Sequence, residues 1–399
     1  MNAISDPRAP RIMIAAGEAS GDMYGAILAR KLRERCPQVA LSGMGGPALR
    51  EAQVRLDVDA DGLGVVGLIE VLRHYPQLRR ALRTLTQRVC TDRPDLLILI
   101  DYQEFNQRLA REARRCGVPV LFFVGPQVWA WRPRRVFKLR DKVDRMALLF
   151  PFEPPLYAGA GIEAECVGHP LVDEIPPHPD RAAARAALGL AGDAPLIGLL
   201  PGSRRSEIER LMPLMAQTAR RLLSLHPQWR FALPVAPTLD RAQVQTWLDE
   251  DLRTRVHLLE GRSREVMAAC DALLIASGTA TLEAGLIGTP MAIVYRTQWL
   301  TYQIARHLVN ITHIGLPNIV AGEGIVREFI QDAATPEALA AEMERLLGDS
   351  AYADAQRQAL AGLRQKLGDG GALDRLAATA LAMATPALAP PVTGLNRPG

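Results

Sequence analysis

Short apolar runs alternate with helix-length amphipathic segments along most of this chain, and that alternation leaves few folds open. Arg11–Ala15, Leu96–Ile100, Val118–Val124 and Met146–Phe150 read as buried strands, each followed by turn residues and a helical pattern. Leu196–Leu200, Trp229–Pro234, Val256–Leu259, Ala272–Ala276 and Met291–Tyr295 form a second series. Strands apolar along their whole length, separated by helices, imply parallel sheets covered on both faces. Two such series predict an α/β chain of two doubly wound, Rossmann-like domains facing each other across a cleft. No short fixed period recurs, which excludes a solenoid.

The 399 residues accommodate this plan, and 48% hydrophobic with 23% charged residues is enough to bury two cores. Gly168–Asp180, with four prolines in thirteen residues, is the expected hinge. The predicted division is 1–175, 176–350, C-terminal helices over 351–385 that return to the first domain, and a loose tail over 386–399. Cysteines at 36, 90, 116, 166 and 270 include no CxxC, which argues against a disulfide framework or a zinc ribbon and fits a reducing cytoplasm. No charged segment followed by an apolar one opens the chain, so no export signal is expected. The uncharged stretch Leu376–Asn396 contains three prolines and reads as a helix end and tail rather than a membrane span.

The net charge of +4 is unevenly placed. Residues 62–145 carry 17 basic against 8 acidic side chains, an excess of nine. Such an excess suits an anionic partner, either nucleic acid or a phospholipid headgroup layer, and composition does not choose between them.

Ligands of open α/β sheets bind beyond the carboxyl ends of the strands, so the motifs there carry the functional reading. The first strand ends in Ala16-Gly-Glu-Ala-Ser-Gly-Asp22, which is not a dinucleotide fingerprint. Glu18 and Ser20 suit sugar hydroxyls, while Ser20 or Asp22 could instead cap the helix that follows. After Leu96–Ile100 comes Asp101, a general-base candidate because partial burial raises a carboxyl pKa. Glu104 is a rival base, and capping a helix from about Gln103 is the structural alternative. Trp129 with Arg132, Arg134, Arg135 and Lys138 offers a stacking surface and phosphate-reading cations, or simply a solvated basic face.

In the second half, Leu200-Pro-Gly-Ser203-Arg204 and Ala276-Ser277-Gly278-Thr279 each join a strand to a helix. Backbone N–H groups at a helix start, with a guanidinium, make an anion site. Glu283 lies one turn into the second helix, where it could accept from a ribose diol. Two such loops point to a nucleoside diphosphate, with capping by Ser203, Ser206 or Glu207 as the alternative. The histidines form neither HxH nor HExxH, so no metal and no cofactor is assigned.

Together these segments resemble the lipid-A-disaccharide synthase family. The matching pieces are GEASGD at 17–22, GLGVVGLIEVL at 62–72, ID…FN at 100–106, PQVWAWRPRRVFK at 126–138 and FPFE at 150–153. GHPLVD at 168–173, LPGSR at 200–204, ASGTATLEAG at 276–285 and LPNIVAG at 316–322 continue the series in order. The resemblance implies a GT-B glycosyltransferase, cytoplasmic and docked on the anionic inner-membrane surface, with no role for nucleic acid. It implies inverting, metal-independent transfer from UDP-2,3-diacylglucosamine to 2,3-diacylglucosamine 1-phosphate, giving the β-1,6-linked disaccharide 1-phosphate and UDP.

Residue by residue, it implies Asp101 as base. Glu18, Ser20, Asn106, Trp129, Arg132 and Arg135 would serve the acceptor. Ser203, Arg204, Ser277, Gly278, Thr279, Glu283 and Asn318 would hold UDP. The family's usual Pro and Asp are replaced here by Gln103 and Glu104, which departs from its pattern beside the base. A homodimer exchanging C-terminal segments is compatible with the same resemblance. Val65, Leu68, Ile69 and Leu72 share one helical face and are followed by Arg73, Arg79, Arg80 and Arg83, which suits a membrane-facing flap as well as a core helix. A UDP-N-acetylglucosamine 2-epimerase-like enzyme and a non-catalytic sugar-nucleotide-binding scaffold are the competing readings.

Overall fold

A computed structural model describes residues 8–385 apart from 62–67, 127, 132, 178, 191, 238 and 298–311. The chain divides into two compact units, one made of the described residues up to Pro170 with those from Gly370 on, the other running from Leu171 to Asp369.

The first unit carries strands β1 (Arg11–Ala16), β2 (Ala40–Gly45), β3 (Arg55–Asp59), β4 (Leu96–Ile100), β5 (Val120–Phe123), β6 (Arg145–Leu148) and β7 (Glu163–Cys166). Its helices are α1 (Ala19–Arg35), α2 (Pro47–Glu51), α3 (Leu68–Asp92), α4 (Gln103–Arg115), α5 (Val128–Trp131) and α6 (Pro154–Ala158). The second unit holds β8 (Leu196–Leu200), β9 (Arg230–Val235), β10 (Val256–Glu260), β11 (Ala272–Ala276), β12 (Met291–Tyr295) and β13 (Arg327–Ile330). Around them lie α7 (Leu171–Glu174), α8 (Arg181–Ala187), α9 (Arg205–Leu225), α10 (Arg241–Gln245), α11 (Glu250–Arg255), α12 (Ser263–Ala269), α13 (Thr279–Ile287), α14 (Leu316–Ala321), α15 (Pro336–Gly348) and α16 (Ser350–Leu367). Helix α17 (Ala372–Ala384) returns to the first unit.

Both sheets are parallel, in the orders β3-β2-β1-β4-β5-β6-β7 and β10-β9-β8-β11-β12-β13. The order reverses between β1 and β4 in one sheet and between β8 and β11 in the other, the switch points at which doubly wound folds bind ligands. Period-two alternation explains the two-faced core of the first sheet. Met13 and Ala15 meet the apolar faces of α3 and α4, while Ile12, Ile14 and Ala16 meet α1 and α17. Helix α17 is fixed there by Leu376, Ala377 and Ala380, all fully buried, and by Arg375 donating to the Val167 carbonyl at 2.7 and 2.9 Å.

Three differences from the sequence reading have physical causes. Strands β2, β3, β7 and β13 were not expected: β3, β7 and β13 are short, outer and partly exposed, and β2, inside the sheet, is interrupted by Ser42, Gly43 and Gly45, so none carries a continuous apolar run. Helix α16, expected to return with the other C-terminal residues, stays in the second unit, where Leu363 fills the space over Gly285. Cys90 and Cys116 form a disulfide across the ends of α3 and α4, with Cα atoms 5.2 Å apart. Spacing of 26 residues gave no hint of that juxtaposition, a single pair rather than the disulfide framework the sequence argued against. Val65 lies outside the described residues, as do the side chains of Leu68, Ile69 and Leu72. Among the described residues no helix is long and apolar enough to cross a membrane.

Candidate active site

At the second switch point, β8 runs into Gly202-Ser203-Arg204 and helix α9, and β11 runs into Ser277-Gly278 and helix α13. The two loops border a cavity of about 420 Å³, walled further by the ends of β9 and β10. Ser203, Arg204, Ser277, Gly278, Thr279 and Glu283 all line it. The sequence reading thus converges on one place for six of its seven nucleotide residues. Asn318 is the exception and is corrected. It is 1% exposed, its amide nitrogen donates to Val326 O and to Glu328, and its amide oxygen accepts from Val326 N. With every polar atom spent inside the loop, it is scaffold.

The start of α9 differs from a free anion nest. Glu207 turns back so that Oε2 accepts from the N–H groups of Ser203 and Arg204 at 3.1 and 3.2 Å. Gly202 makes room for this at φ +109°, since a Cβ there would lie 2.2 Å from that carboxylate oxygen. The Arg204 guanidinium touches Glu207 at 3.3 Å but is 60% exposed. Helix α13, by contrast, starts at Gly278 with no side-chain cap. Its orphan N–H groups and the positive end of its dipole open on the cavity. Ser277 steadies that turn by donating to the Ile314 carbonyl at 3.0 Å.

Arg264, which the sequence reading missed, fixes Glu283. The guanidinium reaches Oε1 from two nitrogens, at 2.8 and 3.1 Å, and also holds Glu174 at 2.7 Å. Nothing in the local sequence pairs positions 264 and 283.

At the first switch point, Asp101 follows β4 beside the Gly17-Glu18 turn that follows β1. The chain turns sharply: Asp101, Tyr102 and Val124 all lie in the left-handed region, at φ +49°, +50° and +57°. A β-branched or aromatic residue is costly there, roughly 1–3 kcal/mol each, and such strain collects at functional sites. Gly17 is required because a Cβ would sit 2.2 Å from the Tyr102 ring. Burial pushes the Asp101 carboxyl above the usual aspartate range, with the Gln103 amide and the Tyr102 backbone opposing the shift. Gln103 donates to Asp101 Oδ1 at 3.2 Å.

Asn106 is fully buried and donates to the carbonyls of Asp101, Ile100 and Ala15. It therefore holds the turn rather than reaching an acceptor, a correction to its expected role. Glu18 is half-buried and Ser20 exposed, at the start of α1. Asp22 does cap a helix, but a distant one: it accepts from Gly46, Ala48 and Leu49 at the start of α2. Glu104 is exposed.

Trp129 is locked edge-on against Phe150 and Phe152, and its indole donates to buried Glu153 at 3.1 Å. Arg135 is exposed, and Arg132 lies outside the described residues. Among the described residues no group of three or more His, Cys, Asp or Glu is arranged to hold a metal ion.

This architecture recurs in solved structures. The UDP-N-acetylglucosamine 2-epimerase of Neisseria meningitidis is similar with TM-score 0.61 and 12% identity, over 93% of this chain and 99% of that one. The glycosyltransferase of kitacinnamycin is similar with TM-score 0.63 and 18% identity, over 94% and 100%. At those identities the likeness establishes the fold, that of GT-B glycosyltransferases and the epimerases. Sequence relatives go further. The lipid-A-disaccharide synthase of Geobacter sulfurreducens is 46% identical over 94% of this chain and 97% of its own length, and that of Trichlorobacter lovleyi is 45% identical over 94% and 98%. The family profile described as lipid-A-disaccharide synthetase matches residues 12–375, and the chain belongs to that family.

Proposed function

We propose that this glycosyltransferase joins UDP-2,3-diacylglucosamine to 2,3-diacylglucosamine 1-phosphate, releasing UDP and forming the β-1,6-linked disaccharide 1-phosphate. The observation that carries the reading is the cavity at the second switch point, where Ser203, Arg204, Ser277, Gly278, Thr279 and Glu283 converge. UDP would sit with its ribose diol on Glu283 and its diphosphate between Arg204 and the uncapped start of α13.

The reaction needs one displacement. Asp101 takes the proton from the acceptor 6-hydroxyl, the new O6–C1 bond forms, and the C1–phosphate bond breaks on the opposite face, inverting the anomeric centre. The transition state has oxocarbenium character, as in glycoside hydrolysis. A base buried enough to raise its pKa, yet set on a turn at a strand end, suits that proton transfer. Charge developing on UDP is met by Arg204 and by the α13 N–H groups, donors already in place before reaction. Glu18, Ser20 and Arg135 remain for the acceptor sugar and its phosphate, with Trp129 bracing that wall.

We place the enzyme peripherally on an anionic membrane leaflet. Support comes from the basic excess over 62–145 and from Phe137, 56% exposed among exposed Arg134, Arg135 and Lys138. Incubation with both diacylated substrates tests the whole reading: UDP release should require the acceptor. Conversion of the sugar nucleotide alone would indicate an epimerase, and binding without turnover a scaffold.

A further inference from the structure

Gln103 sits where the family resemblance would put proline, and its side chain does something proline cannot. Its amide nitrogen lies 3.2 Å from Asp101 Oδ1 and 2.9 Å from the Val124 carbonyl. Both partners are acceptors, so the nitrogen must face them and the amide orientation is fixed by chemistry. The amide oxygen is left buried with no partner among the described residues.

We infer that Gln103 is a positioning residue for the base: its amide ties the Asp101 carboxylate to the Val124 carbonyl and aims it. This rests on the reading of Asp101 as base. The geometry makes the link specific. Asp101 and Val124 end neighbouring strands β4 and β5, both are left-handed, and the Asp101 N–H already donates to the Phe123 carbonyl at 3.0 Å. Backbone pairing therefore sets the distance between the two turns, and Gln103 spans it with a side chain.

The carboxylate has few other influences. Glu18, after β1, acts on the Tyr102 phenol. Glu104 is exposed and acts on Lys142. What acts on Asp101 itself is burial, the Gln103 amide and the Tyr102 backbone. Loss of the amide donor leaves burial less opposed.

The test is the pH profile of kcat/KM in Q103P and Q103E. Gln103 is the first residue of α4, a position that accepts proline without loss of a helical hydrogen bond. Both variants remove the donor, and Q103E also adds a like charge. The acid limb should move to higher pH in Q103P and further in Q103E. At the acid end Q103P should lose roughly three- to tenfold against the parent, a difference that narrows as pH rises. UDP affinity should be unchanged.

An acid limb unmoved in a Q103P protein that melts like the parent would overturn the inference. Should Q103P melt low, Q103L, which removes the donor without adding a charge, decides by the same shift. D101N separates the two levels: near-normal turnover there sinks the base itself. An inactive D101N with a parental Q103P profile sinks only the role of Gln103.

Discussion

Arg264 presents two nitrogens to a single oxygen of Glu283, and no hydrogen bond occupies the other carboxylate oxygen among the described residues. That leaves Oε2 as a fixed acceptor on the cavity wall. If it receives the ribose hydroxyls, Glu283→Ala should weaken uridine, UMP and UDP alike, by about 1.5–3 kcal/mol for hydrogen bonds to a charged group. Arg264→Ala should cost less, about 1 kcal/mol, because the acceptor survives but loses its aim. Calorimetric titration with the three ligands checks this. A loss confined to UDP would reassign Glu283 away from the ribose.

Arg204 is expected to give the opposite ligand pattern. Its guanidinium would answer the diphosphate, so Arg204→Ala should cost UDP about 1.5–3 kcal/mol and leave uridine unaffected. Glu207 competes for the same region, since its carboxylate already occupies the Ser203 and Arg204 amides. Glu207→Gln can keep an acceptor for those amides while removing a negative charge, and UDP should bind several-fold more tightly. Equal or weaker UDP binding would mean that the phosphates do not approach this loop.

Asp101→Asn keeps shape and removes the basic site. Turnover should fall by about 10² to 10⁴, the usual worth of a general base, with UDP affinity unchanged. In the parent, burial holds the Asp101 carboxyl above the ordinary aspartate range. Activity should therefore decline on acidification at a higher pH than a free carboxylate would dictate. EDTA should leave activity intact, and restoration by magnesium of an EDTA-treated enzyme would contradict the metal-independent scheme.

The parts of the fold and site that local sequence encodes were legible. Leu96–Ile100 and Ala272–Ala276 are buried along their whole length, and both were bounded correctly from their apolar runs alone. β3 and β7 could not be seen this way, because an outer strand with one exposed face carries residues as polar as those of a loop. The loops at 202–204 and 277–279 announced themselves through glycine and hydroxyl residues at strand–helix junctions. What stayed hidden was long-range pairing. Asp22 serves α2 rather than its own helix, Arg264 serves Glu283, and Cys90 meets Cys116, each set by sheet order rather than by spacing. Asn318 failed for the same reason: its motif was visible, but its partner Glu328 decides that it faces inward.

His169 gives a prediction about stability. The ring is 5% exposed, tilted against Phe150 with centroids 5.8 Å apart, and burial pushes its pKa down to about 4. The unfolded chain takes up this proton near the ordinary value of about 6.5, while the folded ring stays neutral. Between those values the unfolded state binds more protons, so the contribution of His169 is present near neutrality and is lost as pH falls toward 4. Its size is about 3 kcal/mol over that window. Asp101 and Glu153 act in the opposite sense, because burial raises both and favours the folded state on acidification. The total acid profile therefore mixes signs, and a difference isolates the histidine. His169→Gln retains hydrogen-bonding capacity without titrating in this range. Chemical denaturation of parent and variant from pH 7 down to pH 4 should show the parent losing more stability. Parallel curves would mean that the ring is reached by protons in the folded state.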